Sequence, residues 1–118
     1  MQNDKPFDIK ICLKDIEQSI SEIWSFLPEK RDFFAFQKDI KTRKAIERNI
    51  EIIGEAMNRI LKTDPKFPIE TSRRIVDTRN RIIHGYDSVS EDVIWLIIVN
   101  HLPNLEKQVK ELLKEEKV

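Results

Sequence analysis

The chain is poor in residues that bend or crosslink a backbone. Of its 118 residues, 2 are glycine, 5 are proline and 1 is cysteine. So few glycines argue against a turn-dense sandwich or barrel. Cys12 has no partner thiol, so no intramolecular disulfide can form, and a reducing compartment is expected. It lies in an apolar-periodic stretch and reads as a small buried thiol. An excess of charge is missing too: 21 basic and 21 acidic residues leave a net charge of zero. A basic nucleic-acid coat is therefore absent, and any RNA contact needs a local patch or two copies combined. The longest apolar run, Val93 to Val99, is far shorter than the roughly 20 residues that span a bilayer. The N-terminus shows no signal-peptide core. The expectation is a cytoplasmic protein with no membrane contact. Histidine is scarce, with only His84 and His101. They form no H-x-x-x-H pair and there is no cysteine cluster, so neither a metal nor another cofactor is expected.

What is present is helical periodicity in a chain with 36% charged and 8% aromatic residues. Ile9, Leu13, Ile16, Ile20, Ile23 and Leu27 step by fours and threes, which predicts a helix from Phe7 to Leu27 ended by Pro28. Glu29 to Gln37, with Phe33, Phe34 and Phe36, reads as a short helix or aromatic plug. A second long helix is expected from Asp39 to Leu61, with Ile46, Ile50, Ile53, Met57 and Ile60 as its stripe. Gly54 inside it costs about 1 kcal/mol against alanine, which suggests close approach of another helix. Pro65 and Pro68 mark a loop. A third helix is expected from Glu70 to His84, capped by Gly85. Ser88 and Glu91 have capping-box spacing, with Ser90 as a rival cap. A last helix to Glu116 should kink or split at Pro103. The run Val93 to Val99 covers a whole helix circumference, so burial on several sides, one of them against a second subunit, is expected. The fold class is all-α, a four- to five-helix bundle in one domain over residues 1–118.

The chemistry-bearing segment is Arg79-Asn80-Arg81-Ile82-Ile83-His84-Gly85-Tyr86. His84 sits in the last turn of its helix, where the dipole favours a cation. Asn80, four residues earlier, shares its face and is placed to orient the imidazole. Arg79 lies about 140° around an ideal helix from His84, so the two need a distorted turn, a long reach or a second subunit to meet. Arg73, Arg74 and Arg81 add positive charge. Arginine and histidine suit metal-free RNA cleavage. An imidazole moves protons at the 2′-OH and the leaving 5′-oxygen, while a guanidinium holds the phosphate as charge builds. His101, beside Pro103, reads as a structural or surface residue.

The spacing Arg79-Asn80-x-x-x-His84-x-Tyr86 resembles the R-x4-H-x-Y signature of HEPN domains, and specifically of HepT-like toxins. Arg48 to Ala56 is similar to that family's second-helix signature. Ile82 to Asp87, Val93-Ile94-Trp95 and Leu102-Pro103-Asn104-Leu105 follow in order and spacing. The stretch Glu70 to Ile75 departs from the pattern in lacking a Pro-Trp pair. The resemblance implies a HEPN-type bundle that forms a homodimer with a composite cleft. It implies a metal-independent endoribonuclease, the toxin of a type VII-like toxin–antitoxin system, with Arg79 and His84 catalytic and Asn80 supporting. The implied partner is an MntA-like nucleotidyltransferase antitoxin that transfers AMP from ATP to Tyr86. The alternative is a non-catalytic HEPN nucleotide-binding or scaffold subunit for such a transferase. By this reading Gly54 and Glu55 serve helix packing.

Overall fold

The structure, a computed structural model, describes residues 6–69, 72–84 and 91–115, and the side chains of these except at 6, 7, 72, 83 and 84. Every regular element among the described residues is helical: α1 (Pro6–Phe26), α2 (Phe33–Lys38), α3 (Ile40–Thr63), α4 (Ser72–His84), α5 (Glu91–Leu96), a π-helical turn (Ile97–His101) and α6 (Leu102–Glu115). The last three run on as one bent helix, so the all-α bundle and its broken C-terminal helix stand as expected. No described helix is long and apolar enough to cross a membrane.

The α1 and α3 stripes form the centre of the bundle. Ile16, Ile20 and Ile23 on α1, and Ile46, Ile50, Ile53 and Met57 on α3, are fully excluded from solvent. Each such side chain contributes about 1.5–3 kcal/mol by leaving water. Cys12 is buried with them, as its apolar setting predicts, and burial pushes its thiol pKa above the ordinary 9.0. The α1–α3 contact is the most extensive in the molecule and α3–α4 the next. Helix α6 closes the other flank of α1, where Trp24 Nε1 donates to Glu106 at 3.0 Å.

Local chemistry sets the helix ends. The Asp32 carboxylate accepts from Phe34 N at 3.0 Å and Ala35 N at 3.3 Å, which starts α2 at Phe33. Asp39 ends α2 and starts α3 at once: its backbone N–H donates to Phe36 O, and its carboxylate accepts from the Thr42 amide and hydroxyl. These bonds from Thr42 hold its pKa below the ordinary value. The break at Pro103 is a widening rather than a split. Leu102 N–H donates to Ile97 O, five residues back. Pro103 has no N–H for the carbonyl four residues earlier, and a π turn just upstream absorbs that loss.

The apolar run Val93 to Val99 is largely covered by its own chain. Ile94, Ile97 and Ile98 are buried, and Trp95 packs on Phe33 and Phe36 with centroids 5.8 and 5.1 Å apart. The aromatic residues after α1 are therefore the plug over this helix. Leu96 and Val99 stay exposed, at 52% and 46%.

Candidate active site

The site grows from the seam between α3 and α4. Gly54 is buried on α3, facing α4. A Cβ there would run into Arg79 Cβ, stand 2.8 Å from Arg79 Cγ and 3.3 Å from the Ile75 carbonyl oxygen. The helices meet here backbone to side chain, which is the close approach that a mid-helix glycine implies. The stem of Arg79 lies across this contact, so its side chain is only 18% exposed.

The guanidinium is held from two sides. Its Nη2 donates to the Glu55 carboxylate of α3 in an ion pair. Its Nη1 donates to Asn80 Oδ1 at 2.7 Å. Its Nε is buried with no hydrogen-bond partner. Two acceptors on two different helices therefore fix a side chain that would otherwise have four free torsions. Sequence reasoning missed the acidic anchor. Nothing in the spacing marked it, because a pairing across 24 residues depends on how α3 and α4 cross.

Asn80 is brought to Arg79, its neighbour in sequence, rather than shown on an imidazole. With Oδ1 engaged, Asn80 keeps its Nδ2 group for a further acceptor. His84 ends α4, one turn past Asn80. Its backbone is described and its side chain is not. Gly85, Tyr86, Ser88 and Ser90, with the expected cap and capping box, lie outside the described residues. Glu91, the other half of that box, forms an ion pair with Arg43 at 3.3 Å.

On its other side α4 walls an open groove of about 570 Å³ against α5 and the π turn. Arg73, Arg74 and Arg81 give it positive charge, and Leu96 and Ile97 form its apolar wall. His101 reaches the same groove from the π turn. Burial, and then the Arg74 charge, hold its pKa below the ordinary 6.5. His101 thus faces the start of α4, beside Arg74, ten residues before His84.

The bundle thus pins Arg79 in the α3–α4 seam, five residues before the histidine that ends α4, with a basic groove on the opposite side of α4. The profile of the family described as Ribonuclease HepT-like matches residues 16–112, and the chain belongs to that family. Among its relatives is a protein of Methanocaldococcus jannaschii that carries an RNase name. It is 32% identical over 112 residues, covering 92% of this chain and 89% of that protein. Another RNase-named protein, from Caldanaerobacter subterraneus, is 40% identical over 86 residues, covering 72% of this chain and 77% of its own. A protein of Thermococcus cleftensis named for ribonuclease HepT is 33% identical over 109 residues, covering 89% and 96% respectively. No solved structure matches the chain significantly.

Proposed function

We propose that this protein is a metal-independent endoribonuclease and the toxin of a toxin–antitoxin pair. The observation that carries this reading is the anchored Arg79 guanidinium, five residues before His84 on α4, in a chain of a ribonuclease family. In the reaction an imidazole takes the proton of a ribose 2′-OH. The 2′-oxygen attacks phosphorus, the P–O5′ bond breaks, and the 5′-oxygen receives a proton. Arg79 offers N–H groups to the non-bridging oxygens as charge grows on them. DNA lacks the 2′-OH, so the substrate is RNA. Arg73, Arg74 and Arg81 supply the local basic patch that a chain with no net charge needs.

The site works as a homodimer. In this reading a second copy covers the exposed Leu96 and Val99, and the two R-x4-H segments share one cleft. One imidazole then serves as base and the other as acid. Neutralisation comes from a nucleotidyltransferase antitoxin of the MntA type. The Tyr86 phenol oxygen attacks the α-phosphorus of ATP, AMP is transferred and pyrophosphate leaves. The added phosphate occupies the anion site of the cleft and blocks RNA.

Partner-free protein is expected to cut RNA in EDTA, with Arg79→Ala and His84→Ala each losing on the order of a hundredfold or more in rate. Cleavage unchanged in both variants overturns the assignment. Co-expression with a nucleotidyltransferase encoded beside this chain should add the mass of AMP to the Tyr86 peptide. Addition that persists in Tyr86→Phe places the modification elsewhere.

A further inference from the structure

We infer that Glu55 is a positioning residue for the reaction: its carboxylate on α3 sets the direction of the Arg79 guanidinium. The inference rests on the ribonuclease reading above and deepens it.

Three observations converge on it. Glu55 and Arg79 are 24 positions apart and on different helices, yet the carboxylate takes Nη2. The pairing is built into the backbone, because Gly54 removes the Cβ that would hold α4 away. The guanidinium is then clamped between Glu55 and Asn80, with its stem packed across the glycine. A clamp of this kind fixes which N–H edge faces a ligand. Each terminal nitrogen carries two hydrogens, so one N–H on each of Nη1 and Nη2 remains for a phosphate after the two anchors are satisfied. The Glu55 side chain is 53% exposed, whereas Arg79 is 18% exposed. An ion pair this open adds little to stability, because water screens it and two side chains must be ordered to form it. Its main consequence is orientation: a phosphate-binding arginine held in place loses less entropy at the transition state than a free one. Glu55 touches no reacting atom in this scheme and acts only through Arg79.

Glu55→Ala is expected to fold with an almost unchanged melting temperature and to lose about tenfold to a hundredfold in kcat, with a smaller change in KM. Glu55→Gln keeps an acceptor oxygen at the same place and is expected to retain most of the kcat. The decisive arm is the double variant. In an Arg79→Ala background, Glu55→Ala should cost nothing further, because the residue it orients is gone. An equal loss in both backgrounds overturns the inference, as does full kcat in Glu55→Ala while Arg79→Ala is impaired. If Arg79→Ala and His84→Ala both cleave normally, the ribonuclease site itself is wrong, which is a separate result.

Discussion

Replacing Gly54 by alanine tests the α3–α4 seam and the arginine together. On helix propensity alone, Gly→Ala inside a helix stabilises by about 1 kcal/mol. Here the added methyl meets the Arg79 stem, with Cγ at 2.8 Å and the Ile75 carbonyl oxygen at 3.3 Å. The nearest obstacle is a Cβ, which cannot swing aside as the tip of a long side chain can. Relief requires α4 to move outward or Arg79 to shift. Overpacking of a tight contact costs about 1–3 kcal/mol. The net effect is a loss of about 0–2 kcal/mol instead of a gain. For a domain of this size that corresponds to a fall of up to roughly 10 °C in Tm. Activity should fall further than stability, since a displacement of about 1 Å at a catalytic group can cost on the order of a hundredfold. Thermal denaturation followed by dichroism, paired with cleavage of a fluorogenic RNA, reads both effects. A Gly54→Ala protein that melts higher than the parent and cleaves at the parental rate would refute the close approach.

Other consequences follow from single contacts. His101 is held neutral by burial and by Arg74 in a groove that also contains Arg73, Asp77 and Arg81. Its folded pKa lies below 6.5, so the stability it contributes is complete above that pH and is lost as pH falls through the depressed value. His101→Gln should flatten that part of the stability–pH curve, and NMR titration should place the imidazole below its ordinary value. Cys12 is 2% exposed with a raised thiol pKa, so alkylation of the native protein should proceed only as local opening allows and become fast in denaturant. Equal rates in both conditions would contradict its burial. For the proposed homodimer, Leu96→Asp should weaken self-association by about tenfold or more, read by light scattering over a concentration series, while leaving the monomer folded.

The core was legible in the sequence because a helix repeats its buried face every three to four residues. The α1 stripe from Ile9 to Leu27 and the α3 stripe from Ile46 to Ile60 are buried at every position named from periodicity. Gly54 was legible for a related reason, since a mid-helix glycine has a cost that a close contact offsets. The apolar belt was legible only in part. Periodicity showed that Val93 to Val99 needs cover on all sides, but not that Phe33 and Phe36 supply it for Trp95. The dual role of Asp39 was hidden as well, because two helices share one residue as C-cap and N-cap. The Glu55 anchor was out of reach for a geometric reason. Pairing across 24 residues depends on how two helices cross, and an ideal single helix, which separates Arg79 from His84, says nothing about what lies opposite Arg79.

The chemistry of the cut ends tests the central claim most directly. RNA cleaved by the partner-free protein in EDTA should carry a 2′,3′-cyclic phosphate on one fragment and a 5′-hydroxyl on the other. A matched strand with a single 2′-deoxy sugar at the scissile position should stay intact. Cleavage of that deoxy-substituted strand, or fragments ending in a 3′-hydroxyl and a 5′-phosphate, would contradict attack by the 2′-oxygen and with it the roles given to Arg79 and His84.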